Sequence, residues 1–322
     1  MRVLVTGGAG YVGSMLVPAL LEAGHEVRVL DNLTWGVQPL LGPWSNPAFS
    51  FIRGDVRDPE DRAAAVAGMD AVVHLAAIVG DPACAREPEL ARAVNLDATL
   101  ELIGDARRAG VSRFVFASTC SNYGRMADPA GFVAENSPLA PVSLYAETKV
   151  GVERALLDRS RTDGMAVTPL RFATVFGVSP RMRFDLTVNE FTLALVRDRH
   201  LVVFGEQFWR PYVHVRDIAR AVTLVLAAPI ETIDGEVFNV GSTDQNYQKR
   251  QLVDLILPYA PGAVVDYVHK AEDPRDYRVA FARITERLGF RASITVPDGI
   301  AEVARLVTSA IVPDTSMQTV PA

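Results

Sequence analysis

Short apolar runs alternate with helix-like stretches along the first half of the chain. Residues 3–5 form an apolar run, the turn TGGAGYVGS covers 6–14, and residues 15–22 have the composition of a helix. Helical periodicity also covers 89–109, and further apolar runs that predict strands lie at 25–30, 49–53, 71–75 and 113–117. Repeated strand–helix units of this kind predict an α/β fold with a doubly wound parallel sheet.

The glycines of the first turn each have a physical task. Gly7 permits the tight turn after the strand, Gly10 lets the backbone approach a pyrophosphate, and Gly13 lets the helix pack close to the sheet. The helix then points unpaired N–H groups and the positive end of its dipole at the phosphates. Because the turn follows a strand and precedes a helix, it fits the dinucleotide-binding fingerprint. Tyr11 and Val12 lie in the same turn and are predicted to contact the cofactor.

Asp31 ends the second predicted strand, eighteen residues after Gly13. A carboxylate at this place accepts both ribose hydroxyls of NAD, whereas it would repel the 2′-phosphate of NADP. No Arg or Lys occupies positions 32–36. The sequence therefore predicts NAD as the cofactor, with Asn32 as a further contact.

Later strand ends and one helix carry further cofactor candidates. Asp55, followed by Val56, ends the third predicted strand and is expected to bind the adenine amino group; a surface turn is the alternative. Asn95 is an amide on a mostly apolar helical face, where a satisfied structural amide is the commoner role and a cofactor contact is the alternative. Small residues after the fourth strand allow a cofactor to lie against the backbone, and the candidates there are Leu75, Ala76 and Ala77.

Tyr145 and Lys149 are four residues apart on a predicted helix, so their side chains share one face. The ammonium group favours phenolate and is expected to lower the pKa of Tyr145 from about 10 towards the working pH. Tyr145 then accepts a proton from an alcohol while hydride leaves the same carbon. A solvated pair on a helix surface is the alternative, which the glycine turn and the strand-end hydroxyls of Ser118 and Thr119 disfavour.

The motifs together resemble those of the extended short-chain dehydrogenase/reductases, in particular the nucleotide-sugar epimerases and dehydratases. The resemblance covers essentially the whole chain. It rests on TGGAGYVGS at 6–14, DNL at 31–33, GDVRD at 54–58, HLAA at 74–77, YAETK at 145–149, RPYVHVRD at 210–217, FNVGS at 238–242, DPRDY at 273–277 and LGF at 288–290.

This resemblance implies a role for each catalytic residue. Tyr145 is the base, Lys149 binds the cofactor ribose and lowers the tyrosine's pKa, and Thr119 donates a hydrogen bond to the reacting oxygen of the sugar. Cys120 and Ser121 stand where the similar dehydratases carry an Asp-Glu pair, so epimerisation or simple redox is favoured over dehydration. Cys120 is either a proton-exchanging thiol or, more commonly at such a place, a small buried residue.

The resemblance also implies substrate contacts. Arg210 and Arg275 fall where family members hold the diphosphate of the sugar nucleotide, a task that suits the guanidinium fork. A stacked surface arginine is the alternative for Arg210. Asn189 is a further candidate, and so is Thr174, although many relatives carry Asn at that position. Two more arginines either reach a phosphate or a substrate carboxylate or are solvated, and both interpretations stay open for Arg181 and Arg183.

Composition narrows the class of the protein. Hydrophobic residues make up 49% of the 322 residues, which is enough for a large core, and a net charge of −6 argues against a nucleic-acid surface. Cys84 and Cys120 have neither metal-site nor CxxC spacing, so no metal site is expected. Their spacing instead predicts reduced thiols in a cytoplasmic protein. No segment reaches eighteen unbroken apolar residues, so no membrane span is expected.

The organisation expected from these observations is a Rossmann-type NAD-binding domain and a smaller nucleotide-sugar-binding lobe. The domain comprises 1–176 with 212–240, the lobe 177–211 with 241–311, and 312–322 is a disordered tail. The predicted function is NAD-dependent epimerisation of a nucleotide sugar at C4 through a transient 4-keto sugar. The alternatives are a 4,6-dehydratase, a ketoreductase and a catalytically silent NAD(H)-binding sensor. The family resemblance further implies a homodimer, paired through helices near 90–109 and 145–160.

Overall fold

A computed structural model describes residues 1–126, 131–158, 164–270 and 276–311 of the chain. Within these ranges the strands are β1 (Arg2–Thr6), β2 (Glu26–Asp31), β3 (Phe49–Arg53), β4 (Ala71–His74), β5 (Arg113–Thr119), β6 (Ala166–Phe172), β7 (Thr174–Phe176), β8 (His200–Phe204), β9 (Trp209–His214), β10 (Phe238–Val240), β11 (Asn246–Gln248) and β12 (Val264–Val268). The helices of the same ranges are α1 (Gly13–Glu22), α2 (Gln38–Leu41), α3 (Pro59–Val66), α4 (Asp81–Arg86), α5 (Pro88–Arg92), α6 (Ala98–Arg108), α7 (Leu144–Leu157), α8 (Thr187–Leu193), α9 (Val215–Ala227), α10 (Ile230–Ile233), α11 (Lys249–Ile256), α12 (Ala282–Leu288) and α13 (Val296–Thr308).

A parallel sheet in the order β10-β6-β5-β4-β1-β2-β3 forms the centre of the described structure. The strand order reverses between β1 and β4, which are neighbours although two strands separate them in the chain. In sheets of this kind ligands bind in the crevice at that reversal, outside the carboxyl ends of the strands. The predicted Rossmann-type doubly wound sheet is confirmed.

Helices cover both faces of this sheet, which is why its strands read as apolar runs rather than as alternating patterns. On one face Leu16 of α1 packs with Ile218 of α9, and on the other Leu102 of α6 packs with Val152 of α7. All four side chains are fully buried, and each such burial stabilises the fold by about 1.5–3 kcal/mol.

Two smaller sheets follow in the second half of the chain, with the orders β11-β9-β7 and β12-β8. Their core contains Val188 of α8, Leu252 of α11 and Ile300 of α13. Between these segments β10 returns to the large sheet and pairs with β6. The domain boundaries drawn from the sequence stay a prediction.

The structure differs from the sequence-based expectation at two places. The Gly, Pro, Asn and Trp content of the segment after Asp31 predicts a loop as far as Pro47, but the segment contains α2, because Pro39 suits the first turn of a helix and Leu40 is buried. The single helix predicted over 89–109 is divided into α5, a π-helical turn at Ala93–Asp97 and α6. The predicted disordered tail, 312–322, lies outside the described residues.

No helix within the described ranges combines the length and the hydrophobicity that a bilayer crossing requires.

Candidate active site

The glycine turn lies at the carboxyl end of β1. Gly7 has a φ of +74°, and a Cβ there would lie 2.7 Å from the backbone nitrogen of Ala76 after β4. A Cβ at Gly13 would overlap the carbonyl oxygen of Gly7. At Gly10 the nearest atom to a Cβ is that same oxygen, at 3.1 Å. Gly7 and Gly13 are therefore required for packing, whereas Gly10 leaves one side of the turn open to a ligand.

The N-terminus of α1 fits a pyrophosphate. Its first turn holds no acidic residue, and no side chain caps it. Within the described part of the chain, the N–H groups of Tyr11 and Val12 have no protein acceptor. The Tyr11 hydroxyl donates to the carbonyl oxygen of Gly177 at 2.6 Å, so only the main chain of this residue faces the turn. Unpaired N–H groups at a helix N-terminus bind phosphate oxygens.

Asp31 occupies the end of β2, beside the end of β1. Its two carboxylate oxygens accept from the backbone nitrogens of Ala9 at 3.0 Å and Leu33 at 2.8 Å. Burial raises the pKa of the Asp31 carboxyl, and the two N–H donors oppose this rise. Because each oxygen can accept a second hydrogen bond, the carboxylate fits a pair of ribose hydroxyls.

Asp55 forms a turn of its own after β3. Its oxygens accept from the guanidinium of Arg57 at 2.9 and 2.8 Å, and this partner holds the pKa of Asp55 below its ordinary value. Asp55 therefore forms the turn that was its alternative role in the sequence analysis, and its contact with adenine stays a prediction. Val56 is buried, and the exposed Asn32 accepts from Thr34 within its own loop.

Asn95 lies in the π-helical turn and is buried. Its amide accepts from the backbone nitrogen of Ile78 and donates to the carbonyl oxygen of the same residue, both at 2.8 Å. The amide is thus engaged in fixing the loop after β4, as the structural alternative predicts. That loop begins with the half-buried Leu75, Ala76 and Ala77 at the crevice.

Tyr145 lies in the first turn of α7, and Lys149 follows one turn later. The Lys149 ammonium donates to the carbonyl oxygen of Ala117 at 2.8 Å and lies 5.8 Å from the centroid of the Tyr145 ring. Burial lowers the pKa of Lys149 to about 8. Burial also raises the pKa of Tyr145, and the charge of Arg183 is the largest effect opposing this rise. The expected lowering of the Tyr145 pKa is therefore wrong for this structure, because desolvation of the phenol is the largest effect on that pKa.

The loop after β5 holds Thr119 and Cys120 in different environments. The Thr119 hydroxyl accepts from the backbone nitrogen of Ser121 at 3.1 Å. Cys120 is buried, its thiol donates to the carbonyl oxygen of Arg171 at 3.3 Å, and burial raises its pKa. A thiol that is buried and hard to ionise does not exchange substrate protons. The structure therefore assigns Cys120 a packing role and does not support the catalytic alternative.

A buried polar network behind this loop was not predicted from the sequence. Glu153 forms an ion pair with Arg171 at 2.8 Å and accepts from Ser118 and Asn122. Arg171 also donates to the Tyr123 hydroxyl at 3.0 Å. Glu153 lies four residues after Lys149 on α7. This spacing places it on the same helix face as Tyr145 and Lys149, and it is the sequence feature from which the network could have been predicted. The network holds the start of the loop against α7.

Arg210 and Tyr277 lie beside the loop that follows β5. Arg210 is buried, and its guanidinium carbon lies 5.5 Å from the centroid of the Tyr277 ring. The hydroxyls of Tyr277 and Ser121 are 3.4 Å apart. The surface alternative for Arg210 is therefore excluded by its burial, and Tyr277 is a site residue that the sequence analysis did not single out. Arg275 lies outside the described residues.

Asn189, predicted to contact substrate, has its amide engaged inside the protein. Its oxygen accepts from the backbone nitrogen of Gly177 at 3.0 Å, and its nitrogen donates to the Arg183 carbonyl oxygen at 2.9 Å. The side chain is fully buried. These contacts assign Asn189 to holding the segment between Gly177 and Arg183 and contradict its direct contact with substrate. Thr174 lies in β7, opposite Tyr212 of β9.

Comparison with known proteins identifies the family. Residues 3–241 match the model of the NAD dependent epimerase/dehydratase family. The chain belongs to this family. It is 30% identical to a UDP-glucose 4-epimerase of Corynebacterium glutamicum, over 97% of both chains.

Two solved structures are similar over nearly their whole length. The dTDP-glucose 4,6-dehydratase DesIV from Streptomyces venezuelae, with NAD and TYD bound, is 32% identical with a TM-score of 0.85, over 96% of this chain and 98% of that chain. The UDP-glucose 4-epimerase from Thermotoga maritima, with UDP-glucose, is 29% identical with a TM-score of 0.86, over 97% of this chain and all of that chain. The chain is therefore similar to both epimerases and dehydratases.

Membership in an NAD-dependent family confirms the prediction of NAD as the cofactor. The open side of Gly10, the unpaired N–H groups before α1 and the Asp31 carboxylate fit this group. The extended short-chain dehydrogenase/reductase assignment is confirmed with it, and the protein is an enzyme of the epimerase/dehydratase type.

Proposed function

We propose that this protein is an NAD-dependent epimerase that inverts C4 of a nucleotide sugar through a transient 4-keto sugar. The proposal rests on the side-chain chemistry of the two residues after Thr119. Cys120 is buried with its thiol bonded to a carbonyl oxygen, and the Ser121 hydroxyl lies near the Tyr277 hydroxyl. Neither supplies the carboxylic acid and carboxylate that loss of the C6 hydroxyl requires.

Tyr145 is the proposed acid and base. It accepts the proton of the 4-hydroxyl as C4 is oxidised and returns it when the ketone is reduced. Lys149 and Arg183 supply positive charge that favours the phenolate, against the effect of burial. The Thr119 hydroxyl donates to the reacting oxygen of the sugar. NAD, held by the glycine turn and Asp31, would supply the acceptor and donor of hydride that oxidation of C4 and its reduction from the opposite face require.

Arg210 and Tyr277 are the proposed substrate contacts beside the loop that follows β5. Arg210 donates to the Trp209 carbonyl oxygen at 2.7 Å and lies over the Tyr277 ring, and these contacts fix the orientation of a guanidinium whose fork suits a diphosphate. The resemblance to enzymes of UDP-glucose and dTDP-glucose supports a nucleotide sugar as the ligand.

A 4,6-dehydratase is the second candidate. The negative charge of Asp81, at the start of α4, acts on Tyr145, so one carboxylate does lie near the reacting centre. Similarity to the dehydratase DesIV also supports this activity. Both reactions begin with the same oxidation at C4. The epimerase then reduces C4 again, whereas the dehydratase loses the C6 hydroxyl, receives the hydride at C6 and leaves C4 as a ketone.

The fate of a label at C4 distinguishes the two reactions. The purified protein would be incubated with UDP- and dTDP-glucose carrying deuterium at C4, and the products read by NMR. We expect deuterium on the opposite face of C4 and none at C6. A 4-keto-6-deoxy sugar with the label at C6 would establish the dehydratase and overturn the proposal.

Two further results would also contradict an epimerase. Net oxidation or reduction with stoichiometric NADH change would indicate a ketoreductase. Tight NAD binding without turnover of any nucleotide sugar in a wide panel would indicate a sensor.

A further inference from the structure

Residues 177–185, which we call the arginine segment, are tied to the glycine turn. The Tyr11 hydroxyl donates to the Gly177 carbonyl oxygen at 2.6 Å. The Ser179 hydroxyl donates to the Tyr11 carbonyl oxygen at 2.8 Å and lies 2.6 Å from the hydroxyl of Ser14, in the first turn of α1. All of these groups are buried. The arginine segment therefore starts beside the turn that fits a pyrophosphate.

Arg181 joins this segment to the other half of the cofactor site. Its guanidinium carbon lies 4.0 Å from the centroid of the Trp35 ring, in the loop that begins at Asp31. Its charge also acts on the Tyr11 phenol, in the glycine turn. Arg181 thus lies against the loop predicted to bind the ribose and near the side chain of Tyr11, whose main chain belongs to the turn predicted to bind the phosphates.

The electrostatic environment of Arg181 favours the binding of an anion. Its neighbour Arg183 forms an ion pair with Asp185, whereas Arg181 forms none within the described parts of the chain. Burial and the like charge of Arg183 lower the pKa of Arg181 to about 10, although the negative charge of Asp185 opposes this lowering. A half-buried guanidinium beside another cation is destabilised until a negative group approaches it.

We propose that Arg181 is a cofactor-binding residue that contacts the pyrophosphate of NAD. The Trp35 ring supports the face of the guanidinium, which leaves its N–H groups at the edge free to donate. The N–H groups before α1 and the Arg181 guanidinium then bind the same two phosphates from different segments. The proposal depends on the family's cofactor and is independent of which sugar the enzyme converts.

Calorimetry with the full-length protein freed of nucleotide tests the contact. NAD, ADP and adenosine would be titrated into the parent and Arg181→Gln, with no sugar nucleotide present. We expect Arg181→Gln to weaken NAD and ADP binding about tenfold or more, because charge-assisted hydrogen bonds to phosphate are lost. Adenosine, which has no phosphate, should bind both proteins within about twofold, and Arg181→Lys should recover part of the ADP affinity.

A double-mutant cycle tests the role of Trp35. If the ring acts by supporting Arg181, Trp35→Ala combined with Arg181→Gln should bind ADP no more weakly than Arg181→Gln alone. Arg197→Gln is the matched control, since its guanidinium is already paired with Asp198, and it should bind ADP as the parent does. Unchanged ADP affinity in Arg181→Gln, or an equal loss for adenosine, would overturn the proposal. Because these measurements need no turnover, an error in the epimerase assignment would leave their outcome unchanged.

Discussion

At the scale of single residues, burial and hydrogen-bond partners determine the pKa of the catalytic side chains. Lys149 donates to the Ala117 carbonyl oxygen, and its pKa falls to about 8 because of burial. Tyr145, one turn earlier, has a raised pKa for the same reason. Spacing along a helix brings the two side chains together, but desolvation determines their ionisation.

Tyr145→Phe tests the proposed base. The ring still packs against its neighbours, and only the transferable proton is lost. We expect kcat to fall about 10²–10⁴-fold while the NAD affinity stays within about twofold of the parent, measured by steady-state kinetics and calorimetry. Tyr259→Phe, at an exposed tyrosine, serves as the control and should change neither quantity. Activity within tenfold of the parent would exclude Tyr145 as the base.

At the scale of elements, the β1–turn–α1 unit separates packing from ligand binding. Gly13 faces backbone atoms on the inside of the turn, while a Cβ at Gly10 would have one close neighbour. Glycine is therefore required at position 13 for packing and at position 10 for the approach of a ligand.

Substituting these two glycines should give opposite results. Gly13→Ala should lower the free energy of unfolding by about 1–3 kcal/mol without cofactor, because its Cβ overlaps backbone atoms that cannot move aside easily. Gly10→Ala should lower it far less but weaken NAD binding, since the methyl group stands on the side of the turn that the cofactor approaches. Urea unfolding and calorimetry measure the two effects. Equal destabilisation by both substitutions would contradict this division.

At the scale of the whole molecule, a buried histidine joins two neighbouring strands of the large sheet to a helix that packs on it. His74 of β4 is hydrogen-bonded to Thr6 of β1 at 2.7 Å and to Thr99 of α6 at 2.9 Å. Burial lowers its pKa from an ordinary 6.5 to about 3. In the folded protein the ring stays neutral at pH values where it is protonated in the unfolded chain.

This histidine should make stability depend on pH. Its contribution is complete above pH 6.5 and is lost as the pH falls towards 3, by about 1.4 kcal/mol per pH unit, because only the unfolded chain takes up the proton. Between pH 6.5 and 4 the free energy of unfolding should fall less steeply in His74→Gln than in the parent. His269→Gln, at an exposed histidine, should follow the parent. Parallel curves for the parent and His74→Gln would refute the assignment.

Assembly is the second property of the whole molecule. The predicted homodimer pairs the helices α5–α6 and α7 with their copies. Leu100 of α6 is an exposed apolar residue on this surface, so Leu100→Arg should produce a monomer in light scattering at micromolar concentration. Val264→Arg places the same charge at an exposed apolar residue of β12 and should leave the dimer intact. A monomeric parent protein would contradict the prediction.

The sequence by itself determined the features that depend on neighbours along the chain. The glycine turn, Asp31 and the Tyr145–Lys149 pair are recognisable because a strand–turn–helix unit and one helix face are set by spacing of a few residues. The order of strands and helices follows from the same local patterns, and the α/β fold follows from their alternation.

Tertiary structure decided how side chains from distant segments are oriented and paired. Cys120 turns into the core, Asn189 is engaged in holding the arginine segment, and Tyr277 reaches the loop after β5. Arg181 meets Trp35 although 146 positions separate them in the chain. Spacing does not encode these outcomes, because packing across the whole fold determines which group is desolvated and which partner it meets.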